Sequence, residues 1–420
     1  MFYSILQIAP NAKDRLETRP LGPDFRFNEA CLAACSSWKI IRLQGILIHG
    51  HGRQRRLPPE IPIGTGLSER RSLLARHGSR TLFMLVLNES HLRQLLPMRE
   101  VARTIEDGFR RFGLGLARAP ARLNMPLPEL NGVLLGMPAV LLADPNTSTG
   151  GQSASKAALG AKIVSVFPEN TRRRMDVVQG FYALLDAGSG ALIAIMDGKF
   201  LTGIRTAATS AVATRHMARR DSKTLAVFGA GIQAGFHIEA MIGTQGVGRV
   251  IISSRTDIAA HSLAASIAEA YGIPAEVATS PRQALADADI VCTCTTASGP
   301  LFDGALVRPG THINAVGAFT PHTRELDTQL VARSRVVIDA AEAAGVEAGE
   351  ILVPLFEGAI DRAHVQSTLA DVVLGKAAGR TSPTEVTLFK SCGLAVEDLV
   401  TASLAYERAV KDGVGINVAL

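Results

Sequence analysis

The chain has 420 residues, 47% of them apolar and 20% charged, with only five cysteines. This composition excludes a disordered, collagen-like or coiled-coil chain, and an odd, sparse set of thiols excludes a disulfide scaffold and fits a reducing, cytoplasmic setting. No stretch of about 18 apolar residues lacks a charge, so no transmembrane helix and no membrane partner is expected.

The net charge of +6 would suit a nucleic-acid partner, but residues 1–80 hold all of the excess: eleven Arg and two Lys against six acids. The rest of the chain is close to neutral, so no nucleic acid is expected either. Residues 1–83 carry Arg55-Arg56, Arg70-Arg71, Pro58-Pro59 and the single Trp38, with no sustained period. Their acids argue against a transit peptide, and they read as a poorly ordered basic extension of the kind an upstream start codon adds. Cys31 and Cys35 have no His or Cys partners at zinc spacing, so no metal is assigned.

Regular patterning begins at Met84. A strand at 85–87 precedes a helix beginning near Met98. Short apolar strands follow at 133–137, 161–167, 180–186 and 191–197, separated by turn residues such as Ala187-Gly-Ser-Gly190. A helix is predicted over 206–218. The rhythm then changes to alternating strands and helices: strands at 224–228, 249–253, 275–278, 290–295, 312–316 and 336–339, with helices between them. The tail beyond 350 reads as helical, its longest stretch at 386–406. The fold class is α/β: a Rossmann-type doubly wound domain (206–345) inserted in an α+β substrate-binding and dimerisation domain with a mostly antiparallel sheet (84–205 plus 346–420).

Gly229-Ala230-Gly231-Ile232-Gln233-Ala234 follows one predicted strand directly and opens a helix, the setting a dinucleotide turn requires. Gly229 permits the tight turn, Gly231 lets the backbone approach a pyrophosphate, and Ala234 lets the helix pack closely. The phosphates would then meet free N–H groups at the helix N-terminus. The next strand ends in Ser254-Arg255-Thr256, with no acid until Asp257. A guanidinium beside two hydroxyls suits a 2′-phosphate, so NADPH is favoured and NADH is the alternative. Thr295 and Val316, at the ends of later strands, are also assigned to the cofactor.

Three cations stand apart from polar helix faces. Arg122 lies among prolines, Lys162 begins the apolar run Lys-Ile-Val-Ser-Val-Phe-Pro, and Arg205 sits just before the nucleotide unit, in what reads as a strand or turn. Converging at the domain junction, they would make a carboxylate site.

From Met84 to Leu420 the chain resembles the ornithine cyclodeaminase/mu-crystallin family. The resemblance is carried by Arg122-Leu-Asn-Met-Pro, Gly160-Ala-Lys162-Ile-Val-Ser-Val-Phe-Pro, Val178-Gln179-Gly180, Leu201-Thr-Gly-Ile-Arg205-Thr-Ala-Ala and the glycine turn. It continues through Asn314-Ala-Val-Gly317, Arg324-Glu325-Leu326-Asp327 and Leu388-Phe-Lys390-Ser391-Cys-Gly-Leu-Ala-Val-Glu397-Asp398. It implies a homodimer that handles amino acids or cyclic imino acids with a nicotinamide cofactor. It places the carboxylate-binding arginines on Arg122 and Arg205, and the family's lysine on Lys162. Arg205, Val177 and Ser391 are carried over to the cofactor side, with Lys390 beside Ser391.

One departure separates activities within the family. Cyclodeaminases carry an Asp where Phe319 stands here, and Val177 replaces a frequent Thr. Phenylalanine can neither take a proton nor hold a water, so deamination loses a base that one-way imine reduction does not need. The expected activity is therefore NAD(P)H-dependent reduction of a cyclic ketimine, Δ1-pyrroline-2-carboxylate or Δ1-piperideine-2-carboxylate, to L-proline or L-pipecolate. Lys162 and Arg205 would be catalytic, Arg122 and Phe319 would line the substrate, and Glu325 and His322 are polar neighbours to consider. The alternatives are an ornithine cyclodeaminase, an alanine dehydrogenase-like enzyme, or a non-catalytic NADPH-binding protein of the mu-crystallin kind.

Overall fold

The computed structural model describes residues 83–145, 156–365 and 367–419. The extension assigned to 1–83, with Cys31, Cys35 and Trp38, lies outside the described residues except for Phe83.

Two eight-stranded sheets organise the chain. The first is built from β1 (Phe83–Leu87), β2 (Ala117–Arg118), β3 (Leu123–Leu127), β4 (Gly132–Leu141), β5 (Ala158–Val166), β6 (Val178–Leu185) and β7 (Leu192–Asp197). The second holds β8 (Thr224–Phe228), β9 (Arg249–Ser253), β10 (Ala275–Val277), β11 (Ile290–Thr293), β12 (His312–Ala315), β13 (Arg335–Ile338), β14 (Ser367–Thr368) and β15 (Thr387–Lys390). A last strand, β16 (Ile416–Ala419), returns to the first sheet and pairs with β1.

The first sheet runs β16-β1-β7-β6-β5-β4-β2, with β3 also on β4, and every pairing except β1 with β7 is antiparallel. Its strands alternate as a sheet with one covered face must. Met137, Lys162, Tyr182 and Met196 lie side by side across β4 to β7, and all four are buried. The helices Met98–Gly113, Gly198–Met217 and Ala395–Asp412 stand over this sheet. On the other face the row Leu123, Gly136, Ile163, Phe181 is partly bare, with Leu123 65% and Phe181 43% exposed.

The second sheet runs β10-β9-β8-β11-β12-β15-β13-β14 and is parallel throughout. Its central strands are buried along their whole length, as expected when helices cover both faces. The chain leaves β8 outward to β9 and β10, then crosses back to β11 on the other side. The order thus reverses between β8 and β11, the switch point at whose carboxyl ends such sheets bind their ligands.

Two sequence expectations fail here. The tail stretch 386–406 is not one helix. Thr387–Lys390 is a fully buried strand between β12 and β15's other neighbour, β13, so the expected domain boundary at 345 cuts through this sheet. Four residues, Thr-Leu-Phe-Lys, are too few for a period that tells strand from helix, and Gly393, at φ +87°, separates the strand from the helix at Ala395.

The helix expected to begin at Thr206 begins at Gly198 instead, so Arg205 lies inside a helix rather than in a strand or turn. Asp197 caps it by accepting from Phe200 N at 2.7 Å. Its glycines and threonines disguise it. A Cβ on Gly203 would come within 2.3 Å of the Phe236 ring. Thr202, Thr206, Thr209 and Thr214 donate their hydroxyls to the carbonyls four residues back, at 2.7–2.9 Å. That satisfies polar side chains in a helix buried nearly all round.

Candidate active site

At the end of β8, Gly229 has φ +110°, and its N–H donates to Ser253 O at 2.8 Å. A Cβ there would lie 2.5 Å from the carbonyl oxygen of Cys294, so the turn admits only glycine. Gly231 caps the helix Ile232–Gln245 without a side-chain bond, and a Cβ built on it meets nothing within 4 Å. The space over this helix N-terminus is therefore open to an incoming anion.

Two buried polar atoms near these strand ends lack partners among the described residues: Gln233 Oε1, in the first turn of that helix, and Ser391 Oγ, just past β15. A cradle with open space over a glycine and orphaned polar atoms fits a dinucleotide. Ala230 is half-buried and Ile232 exposed in the same turn. Beyond β9, Ser254 is half-buried and accepts from Thr256 N at 3.2 Å, while Arg255 and Thr256 are exposed. Thr295 and Val316 follow β11 and β12 and are half-buried. Val177 lies just before β6 in the first sheet and is half-buried, its carbonyl accepting from Phe167 N at 2.9 Å.

The Glu325 carboxylate is taken up within the fold. It is fully buried and ties two strand ends together. It accepts from Thr293 Oγ1 at 2.6 Å, Gly317 N at 2.8 Å, Thr295 N at 2.8 Å and Thr295 Oγ1 at 2.7 Å. Lys390 is likewise structural. It is buried, lies 3.1 Å from Glu350, and donates to the carbonyl of Ala318, which fixes the loop carrying Phe319. Burial alone would lower its pKa, and Glu350, Cys392 and Glu325 together offset this to leave it raised. Phe319 is 46% exposed, and His322 is on the surface.

The three cations converge. Lys162, on β5 and 2% exposed, places Nζ 2.9 Å from the Asp398 carboxylate and 3.3 Å from Thr202 Oγ1. Arg205 lies against the same carboxylate, with Nε 3.2 Å from the Oδ1 that accepts from Lys162, and Nη1 donates to Glu397 at 2.6 Å. Its guanidinium lies against Gly393, where a Cβ would come within 2.6 Å of Nη1. Arg122 donates to the carbonyl of Cys392 at 2.6 Å and pairs with Glu347 at 2.7 Å. Asp339, at the end of β13, accepts from the N–H groups of Cys392 and Gly393 at 2.5 and 2.6 Å and holds that peptide between the two arginines. The cluster therefore sits at the carboxyl edge of the parallel sheet, on the side where the glycine turn ends β8.

Burial lowers the Lys162 ammonium to about 8, against the opposing pull of Asp398. Burial would also lower Arg205, but Asp398 and Glu397 outweigh it and the pKa is raised. Burial raises Glu397 against the pull of Arg205, and it raises Glu347 against Arg122. The hydroxyl of buried Tyr182 is pushed well up by burial and by Asp398.

The acids Asp339, Glu347, Glu397 and Asp398 were not assigned from sequence. Glu397 and Asp398 stand there only as the closing acids of a family motif, inside the stretch 386–406 read as one helix and with no role of their own. Their full burial against cations belongs to the tertiary structure.

A family model described as the ornithine cyclodeaminase/mu-crystallin family matches residues 84–413. The chain belongs to this family. A Δ1-pyrroline-2-carboxylate reductase of Bacillus cereus is 37% identical over 333 residues, which are 79% of this chain and 98% of that protein. The structure of the Thermococcus litoralis Δ1-pyrroline-2-carboxylate reductase in complex with NADH and L-proline matches with a TM-score of 0.74 at 38% identity. It covers 80% of this chain and all of that one. An archaeal alanine dehydrogenase dimer with bound NAD matches with a TM-score of 0.73 at 30% identity, over 81% of this chain and all of that one.

Proposed function

We propose that the protein reduces a cyclic ketimine carboxylate, Δ1-pyrroline-2-carboxylate or Δ1-piperideine-2-carboxylate, to L-proline or L-pipecolate, with NADPH or NADH as reductant. The observation that carries this is the convergence of Arg122, Lys162 and Arg205 beside the dinucleotide crevice, with Phe319 where a base would be needed for deamination. The relatives named for this reduction, among them the one solved with NADH and L-proline, support the same reading.

Arg205 and Arg122 grip the carboxylate. Among the described residues, Glu397 and Asp398 occupy Nη1 and Nε of Arg205, and Nη2 takes neither. A planar guanidinium fixes the plane of a carboxylate as well as its position. Lys162 donates to the ring nitrogen; an ammonium near pKa 8 holds its proton at neutral pH and can release it. When bound, the nicotinamide supplies the hydride that reaches C2, so that C=N becomes CH–NH. The apolar wall of Phe319 excludes water from the imine. Exposed Arg255, beside Ser254 and Thr256, favours NADPH.

The nucleotide lobe rests on the second sheet and the substrate lobe on the first, with the C-terminal residues serving both. The partly bare face of the first sheet, around Leu123, Ile163 and Phe181, is covered by a second copy in a homodimer, and the enzyme is cytoplasmic. Among the described residues, no helix is long and apolar enough to cross a membrane.

The purified protein with each imine and each reduced nicotinamide tests this reading. Oxidation of NADPH with at least one imine is expected, and its absence with both removes the proposal. Ammonia released from ornithine would favour the cyclodeaminase. A monomer in sedimentation at micromolar concentration would remove the dimer.

A further inference from the structure

Asp398 is fully buried at the first turn of the C-terminal helix, and among the described residues it is the one carboxylate that touches both Lys162 and Arg205. Two anchors hold the Lys162 amine, Asp398 at 2.9 Å and Thr202 Oγ1 at 3.3 Å. An ammonium has three N–H donors, so one remains for a substrate. Of the two cations Glu397 holds only the arginine, at 2.6 Å, and its other oxygen accepts from Leu394 N at 3.0 Å. We propose that Asp398 is the positioning residue of the reaction: it sets the Lys162 ammonium and the Arg205 guanidinium in one frame and keeps the lysine protonated in a site that excludes water. This role in catalysis rests on the ketimine reading above, although the pairing itself does not.

The charged and titratable groups facing Lys162 are Asp398 and Glu397 from the C-terminal helix, Arg205 from the helix Gly198–Met217, and Tyr182 from β6. From β4 the facing residue is Met137, which carries no charge. Burial and Arg205 disfavour the ammonium, while Asp398 and Glu397 favour it, Asp398 more strongly. Neutralising Asp398 therefore moves the lysine toward the amine. The direction is fixed: removing a nearby anion lowers the pKa of a cation.

The test is the titration of the Lys162 ¹³Cε resonance in lysine-labelled protein, assigned by its loss in Lys162→Met. The wild-type signal is expected to titrate near pH 8, and in Asp398→Asn about one to three pH units lower. With imine and NADPH, the alkaline fall of kcat/KM should move by the same amount; the substrate's own ionisation is common to both enzymes and cancels. A contact that only packs the helix would lower the rate at every pH and leave the midpoint in place. An unchanged titration overturns the proposal.

Should Asp398→Asn not fold, Asp398→Glu decides, because it keeps the charge and displaces it. It should titrate as wild type with kcat/KM at least tenfold lower, and wild-type kcat/KM overturns the proposal. A wild-type enzyme inactive on both imines would sink the ketimine reading, while the lysine titration still judges the pairing.

Discussion

The two halves of the candidate site are built from different material. At the nucleotide end the backbone forms the site: a glycine turn, a helix N-terminus and strand ends held by Glu325. At the substrate end charged side chains form it, drawn from distant parts of the chain. Lys162 and Asp398 are 236 residues apart, and Arg122 reaches across 270 residues to Cys392. A backbone site tolerates little change of shape, because a Cβ in the wrong place meets a carbonyl. A side-chain site tolerates little change of charge, because each partner left behind is a buried ion.

The largest effect should come from breaking the charge balance. Arg205→Ala removes the cation between Glu397 and Asp398 and leaves both carboxylates buried beside Lys162 alone. Transition-state binding should weaken by about 2–5 kcal/mol, read as kcat/KM for the imine. Wild-type efficiency in this variant would mean that the substrate carboxylate binds elsewhere. The nucleotide affinity should change far less, and that contrast separates the two halves.

The same contrast explains what could be read from the chain before its structure. The glycine turn was legible because strand, turn and helix are adjacent in sequence and each glycine has a local reason. The alternating rhythm from 224 onward was legible for the same reason. Arg205 was singled out yet placed in the wrong element. The glycines and threonines around it lower helix propensity, and only burial against Phe236 and the back-bonded hydroxyls makes that helix favourable. Glu325 looked like a substrate neighbour because it stands in a charged motif, but its four hydrogen bonds go to backbone and hydroxyl groups that no local pattern announces. Asp398 was visible only as the last residue of a family motif inside a stretch read as one helix, and nothing short of the fold puts it beside Lys162.

A second comparison lies within the glycine turn itself. Gly229→Ala forces an L-residue to φ +110° and drives its Cβ toward Cys294 O. The strain should cost about 1–3 kcal/mol in stability, seen in denaturant unfolding, and cofactor binding should fall with it. Gly231→Ala points its Cβ into open space, so the fold should keep its stability to within about 0.5 kcal/mol. Its NADPH affinity should nevertheless drop at least tenfold, because the methyl group fills the approach to the helix N-terminus. Equal losses of stability in the two variants would refute this division of roles.

The smallest effect is expected where a side chain acts at the backbone end. Arg255 is exposed after β9, so no buried partner is orphaned when it is removed. Its stabilisation of a 2′-phosphate is limited by solvent, and a charge-assisted pair of that kind contributes about 1–2 kcal/mol. Arg255→Ala should therefore weaken NADPH by about tenfold in a fluorescence titration and leave NADH unchanged. The difference between the two nucleotides carries the inference, since a general defect in the turn would weaken both. If Arg255→Ala weakens them equally, the hydroxyls of Ser254 and Thr256 are left to account for any preference between them. Neither hydroxyl supplies the positive charge that makes a phosphate preferable to a hydroxyl at that position.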